Sequence, residues 1–229
     1  MPLAGKAMLL TSMDIDPSDE AEFNRWYDRE HLLERVAIDG FLEARRYVAH
    51  QGSPKYLCLY STATFDVLDS PAYRFALANP TDWSKTNLAR FKNMIRTVAR
   101  VTVSRGQGRG AALGIIRLRP AAGSKDTLRE AFREKLDPET SDGIVSMHLI
   151  ESDPVLSKPL TASPSVSDPG SGDWFILIDG TDVNAIAAVI AARFTGPATL
   201  ERGTRISAGI YDLMWDLARS DIPLSQINA

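Results

Sequence analysis

Between positions 23 and 47 the chain reads F-N-R-W-Y-D-R-E-H-L-L-E-R-V-A-I-D-G-F-L-E-A-R-R-Y. No other stretch gathers aromatic, carboxylate and imidazole side chains so densely. Wound on a helix at ~100° per residue, Phe23, Trp26, Tyr27, Glu30, Glu34 and Ala37 share one face. His31 then lies at the edge of that face, and Leu32 and Arg35 point away. A carboxylate on a buried helix face is costly unless it is paired or hydrogen-bonded. Glu30, with Glu34 a turn later, therefore has two readings. It is a general acid or base whose pKa burial has raised, or it forms a structural ion pair with Arg45 or Arg46 from the next strand.

His31 has the chemistry to exchange protons, and Tyr27 or an arginine to hold an oxygen. Histidines occur only at 31, 50 and 148, without ligand-like spacing, so no metal site is expected. Phe23, Trp26, Tyr27 and Tyr47 suit the wall of an aromatic pocket, and equally a plain core. In the strand after the helix, Phe41, Glu43, Arg45 and Tyr47 alternate with Leu42, Ala44, Arg46 and Val48. One of the two arginines must therefore face a covered side, to bind an anionic substituent or to neutralise a glutamate.

The elements that position these residues follow from turn and cap signals. Residues 7–15 form an apolar strand; Asp16 and Pro17 open a helix that stops at Asp39-Gly40. Residues 41–50 and 56–65 make a hairpin around Gln51-Gly-Ser-Pro54. A helix from Ser70-Pro71, interrupted at Asn79-Pro80, restarts at Thr81 or Asp82 and runs to about Ile95, and residues 97–104 close the half as a strand. Arg105-Gly-Gln-Gly-Arg-Gly110 holds a G-x-G, but the strand 111–119 follows instead of the helix a phosphate loop requires, so it reads as a linker.

The same order then recurs. Ser124 caps a helix with Leu128, Ala131, Phe132 and Leu136 on one side; strands follow at 143–151 and 174–178, then a helix at 183–194 and a strand at 205–215. Gly40-Phe41 corresponds to Gly143-Ile144, residues 56–60 to 174–178, and Arg96 to Arg205. Their spacing changes only across the Pro/Ser/Asp-rich stretch 152–172 and in the outer helix, where a duplication tolerates insertions. The expected fold is α+β: two ferredoxin-like βαββαβ repeats, residues 1–107 with the candidate site and a degenerate 108–229, their antiparallel sheets packed face to face as an α+β barrel. His148 then sits in the barrel interior or where the halves meet, and edge strands remain through which barrels can associate into a homo-oligomer.

Composition excludes several classes. Among 229 residues, 44% are hydrophobic and 24% charged, and the net charge of −3 lacks the footprint of a nucleic-acid binder. No apolar run approaches a membrane span, no signal-peptide pattern is present, and one cysteine, Cys58, permits no internal disulfide. A cytoplasmic protein is expected.

The helix–strand pair F-N-R-W-Y-D-R-E-H-L and D-G-F-L-E-A-R-R-Y resembles the signature of EthD-like proteins, members of the dimeric α+β barrel superfamily. The likeness covers about 25 residues, 23–47. It implies a fused pseudo-dimer with helices outside the barrel and a small hydrophobic or aromatic ligand between a helix and its sheet. Fold relatives include monooxygenases, cyclases, isomerases and haem proteins, so the resemblance admits haem at His31, although no cofactor motif is evident and none is expected. The helix at 125–136 departs from the signature, having no Trp, Tyr or His, so one site per chain is expected. Two functions stay open. The first is cofactor-independent proton transfer on a hydrophobic substrate, of isomerase, cyclase or monooxygenase type, with Glu30, His31 and Tyr27 catalytic. The second is a non-catalytic ligand-binding or assembly module in which the same residues are structural.

Overall fold

A computed structural model of the chain describes residues 3–158, 171–195, 203–223 and 225. Eight strands close into an antiparallel barrel in the order β1-β3-β2-β8-β5-β7-β6-β4. They are β1 (Ala7–Asp14), β2 (Phe41–Gln51), β3 (Tyr56–Thr62), β4 (Lys92–Gly106), β5 (Ala112–Pro120), β6 (Ile144–Ser152), β7 (Trp174–Gly180) and β8 (Gly203–Ala218). The first four pair as β4-β1-β3-β2 and the last four as β8-β5-β7-β6, with seams at β2–β8 and β4–β6. Each strand thus has one face toward the lumen and one toward the outer helices, which is why strands such as β3 are buried along their whole length. Because the ring is closed, the free edge strands expected from the sequence do not exist among the described residues.

Three apolar clusters follow from this layering. Two lie between barrel and helices, one for each half, and the third fills the lumen with Met8, Leu10, Tyr47, Leu59, Ile150 and Phe175 among others. The helices are α1 (Glu20–Trp26), α2 (Leu32–Val36), α3 (Pro71–Ala78), α4 (Asp82–Leu88), α5 (Lys125–Lys135) and α6 (Val183–Arg193). Ser70 caps α3, and Thr81 caps α4 by accepting the Ser84 N–H at 2.9 Å, as expected at the Asn79-Pro80 break. Asp16 caps no helix; it pairs with Lys92, and α1 begins at Glu20. Helix α4 stops at Leu88 instead of continuing to 95. Lys92, Ile95 and Arg96 have strand partners instead, since β1 pairs with β4, through a bulge, down to Asp14–Lys92. On α5, Leu128 and Phe132 are buried while Ala131 is exposed. After β8, Ile222 docks into the first-half cluster. The expected insertion at 152–172 falls largely outside the described residues.

Among the described residues no helix is long and apolar enough to cross a membrane, and no group of three or more His, Cys, Asp or Glu could hold a metal ion.

Candidate functional site

The first helix is not a continuous α-helix. Between α1 and α2, residues Tyr27–His31 form a π turn, in which the Leu32 N–H bonds to the Tyr27 carbonyl five residues back. One extra residue in a turn advances the phase of everything after it by ~100°. Phe23, Trp26 and Tyr27 stay on the buried face, and beyond the turn that face passes to His31, Leu32, Arg35 and Val36. Glu30 and Glu34 are only half-buried. The expectation that these glutamates face the sheet while Leu32 and Arg35 face outward is therefore corrected. The π turn places apolar Leu32 and Val36 inward, each worth roughly 1.5–3 kcal/mol on burial, and keeps two carboxylates at the rim.

Glu30 Oε1 accepts from Thr81 Oγ1 at 2.6 Å, Ser84 Oγ at 3.2 Å and Trp26 Nε1 at 3.2 Å. It ties the first helix to α4 and pairs with neither arginine. Glu34 is raised by burial, an effect Arg35 lessens and Glu30 adds to. His31 is 7% exposed, its ring stacked on Trp26 with centroids 4.2 Å apart, so it is buried within the layer and not at the edge of the helix face as expected. Its Nδ1 has no hydrogen-bond partner among the described residues, and the Glu34 carboxylate lies 3.9 Å away. Burial, then Arg35 and Arg46, hold its pKa well below 6.5, so the ring is neutral at neutral pH.

Below the helix the floor is built by alternate residues of β1, β2 and β3: Thr11, Ala44, Arg46, Tyr56, Cys58 and Tyr60. Arg46 lies under three rings, with its guanidinium 4.4 Å from the Tyr27 centroid, 5.1 Å from Phe23 and 5.4 Å from Tyr56. It donates to Asp28 at 2.8 Å and to Asn24. Tyr27 makes a contact to Met13 Sδ at 4.0 Å, and burial carries its hydroxyl well above pKa 10. Cys58 adds to that rise while Arg46 and Thr11 lessen it, and Tyr27 in turn helps burial to raise Tyr60. Burial pushes the Cys58 thiol up to about 11, which leaves it inert. Four atoms of this layer have no hydrogen-bond partner among the described residues: Thr11 Oγ1, His31 Nδ1, Arg46 Nε and the Tyr60 hydroxyl.

Arg45 and Tyr47 belong to the other side of β2. Both face the lumen, away from the helix cluster, and Arg45 Nη1 donates to Asp179 Oδ1 of β7 at 3.0 Å. Phe41 does not share their face: the register shifts between Phe41 and Glu43, so Phe41 joins the helix-side cluster while Glu43 turns inward. Of the sequence candidates, Phe23, Trp26, Tyr27, Glu30, His31, Glu34 and Arg46 come together around one layer, and Arg45 and Tyr47 are separated from it by the sheet. Sequence reasoning missed Thr11, Arg35 and Tyr60. The signal for Tyr60 was available, since strand alternation sets Tyr56, Cys58 and Tyr60 on one face. Arg35 was hidden by the π turn.

No protein-family profile matches the chain, and no curated protein matches it in sequence. Solved structures do match in fold. An anthrone oxidase-like protein superposes with a TM-score of 0.63 at 8% identity, covering 95% of each chain. The encapsulated DyP-type peroxidase from Mycobacterium smegmatis gives 0.54 at 11%, covering 96% of each. A heme-binding protein from Thermus thermophilus gives 0.51 at 9%, covering 95% of this chain and 93% of its own. At these identities the likeness defines the fold alone, a closed α+β barrel.

The heme-binding neighbour invites a fit test. Ligand pockets run to ~300–1,000 Å³. The layer under the first helix is instead filled by Phe23, Trp26, Tyr27 and Tyr56, with ring centroids 4.8–6.3 Å apart. In the other half, a void of about 10 Å³ lined by Leu128, Phe132 and Phe194 has room for about one water. Both ring nitrogens of His148 are taken by Ser104 and Ser146. These residues do not fit a haem.

Proposed function

We propose that the layer beneath the first helix is a small-molecule site, closed in its resting form, that carries out cofactor-independent proton transfer on a hydrophobic or aromatic substrate. One observation carries this reading. The two halves have the same strand order, yet unpartnered polar atoms gather under the helix of the first half, while the corresponding layer of the second is Leu128, Phe132 and other apolar groups. Buried polar atoms without partners are rare in folded proteins and mark function when they cluster. The π turn forms the roof of that layer, and such turns recur at functional sites.

In this reading His31 is the base. Its neutral Nδ1 takes a proton from an acidic C–H or O–H of the substrate, and the oxyanion left behind accepts from Tyr60, Thr11 and Arg46 Nε. Tyr27 and Trp26 wall the ring of the substrate, and Glu30 positions the roof through α4. Of the isomerase-, cyclase- and monooxygenase-like classes, the likeness to an anthrone oxidase-like protein supports the oxidative, monooxygenase-like one. The signature shared by residues 23–47 supports membership of the EthD-like group, and the recurring strand order supports two ferredoxin-like repeats, residues 1–107 and 108–229, as a fused pseudo-dimer. The buried, unpaired Cys58 supports a cytoplasmic location, and a homo-oligomer would assemble through the outer helices.

Titration with 1-naphthol, followed by NMR, tests the site. Saturable shifts at the Trp26 indole N–H and the His31 ring are expected, with binding at least tenfold weaker in Tyr60→Phe, the loss of about one hydrogen bond. A second reading, a purely structural layer, is favoured by the three hydrogen bonds that fix Glu30. It wins if 1-naphthol and a panel of aromatic ketones leave both resonances unmoved.

A further inference from the structure

The stretch Arg105-Gly-Gln-Gly-Arg-Gly110, which the site above does not use, closes one end of the barrel lumen. A Cβ on Gly110 would sit 1.8 Å from the Gly180 oxygen, and Ser146 Oγ donates to the Gly108 carbonyl at 3.1 Å. Arg109 spans the opening with ion pairs to Glu43 at 2.9 Å and Asp216 at 2.8 Å. Beneath this cover Arg45, Tyr47, His148 and Asp179 are all 0% exposed. Arg45 and Tyr47 come from one half of the chain, His148 and Asp179 from the other.

Arg45 Nη1 and Asp179 Oδ1 satisfy each other at 3.0 Å, and His148 is held by Ser104 at 2.8 Å and Ser146 at 3.0 Å. Among the described residues four atoms are left without a hydrogen-bond partner: Arg45 Nε and Nη2, the Tyr47 hydroxyl, and Asp179 Oδ2, although the Gly110 N–H lies close to the Asp179 carboxylate. Their nearest ionic neighbours are too far for hydrogen bonds, with Glu43 Oε1 3.8 Å from Arg45 Nε and His148 Nε2 3.9 Å from Asp179 Oδ2. The group that completes them must accept from Arg45 and donate to Asp179. Charge decides its type. Arg45 and Arg109 face Glu43, Asp179 and Asp216, so no excess of positive charge draws an anion into the lumen. A neutral hydroxylic molecule small enough for a sealed lumen is water.

We propose that the lumen holds an internal water-binding site at the corner formed by Arg45, Tyr47 and Asp179, so that one bound water hydrogen-bonds across both halves of the barrel. Buried waters of this kind make about three hydrogen bonds to polar groups the protein leaves unpaired. A crystal structure of the full chain is expected to show a peak within ~3.2 Å of Arg45 Nη2, the Tyr47 hydroxyl and Asp179 Oδ2. No peak, with the Glu43 carboxylate swung onto the Nε–Nη2 edge of Arg45, overturns the proposal. Tyr47→Phe gives a second arm in solution. Loss of a hydroxyl bonded to water lowers the melting temperature by roughly 2–4 °C for a chain of this size. An unchanged or higher melting temperature means the hydroxyl was bonded to nothing, and the site fails.

Discussion

Arg45 and Arg46 are adjacent in sequence and do unrelated work, because successive strand residues point to opposite faces. Arg46 supports the aromatic layer under the first helix; Arg45 is locked in the lumen with Asp179. The alternation was legible in the sequence, which required one covered arginine. In a closed barrel wrapped by helices both faces are covered, so both arginines are fully buried. The partner of Arg45 lies 134 residues away and that of Arg46 18 residues away, which no local pattern announces. Arg45→Met leaves Asp179 buried without its cation and should cost ~3–5 kcal/mol in urea unfolding. Arg45→Met combined with Asp179→Leu should recover most of that loss, since an apolar pair of similar volume is often neutral. Equal losses in the single and double variants would show that the arginine acts through packing instead of charge.

The π turn decides which residues of the first helix meet the sheet. Periodicity at 3.6 residues per turn gave Phe23, Trp26 and Tyr27 correctly, and failed after Tyr27, where one extra residue resets the phase. Deleting Arg29, an exposed residue within that turn, should let the segment wind as regular α-helix with His31, Leu32 and Arg35 still inward. The expected result is a folded barrel melting within a few degrees of the parent, with the 1-naphthol response abolished because the roof has moved. A collapse of stability would mean that the turn is needed for packing. The bulge between Phe41 and Glu43 is the strand counterpart: one irregular residue moves Phe41 to the helix side, against simple alternation.

At the scale of the whole barrel, the buried histidines set the response to acid. Burial, then Arg45, lowers His148 to about 3, and His31 is held well below 6.5. Unfolding frees both to protonate near 6.5, so the unfolded chain binds more protons below that pH. Stability is therefore complete above pH ~6.5 and falls with acidification by up to ~1.4 kcal/mol per pH unit for each histidine. Asp179, raised by burial, takes up its proton earlier in the folded state and offsets part of the loss at the acid end. Melting temperatures recorded from pH 7.5 to 4.5 should fall steadily below 6.5, and less steeply in His148→Gln. A flat profile would contradict the burial of both rings.

The amino-acid sequence alone determined the order of strands and helices, the recurrence of that order, the caps at Ser70 and Thr81, and the aromatic cluster of the first helix. These depend on periodicity and turn chemistry within a few residues of each position. Only the tertiary structure decided that the ring closes without edges, that Glu30 binds α4 and neither arginine, and that Arg45 reaches Asp179 across the lumen. Those outcomes rest on contacts between residues far apart in the chain, and on two single-residue irregularities that cooperative packing selects and local propensity does not record.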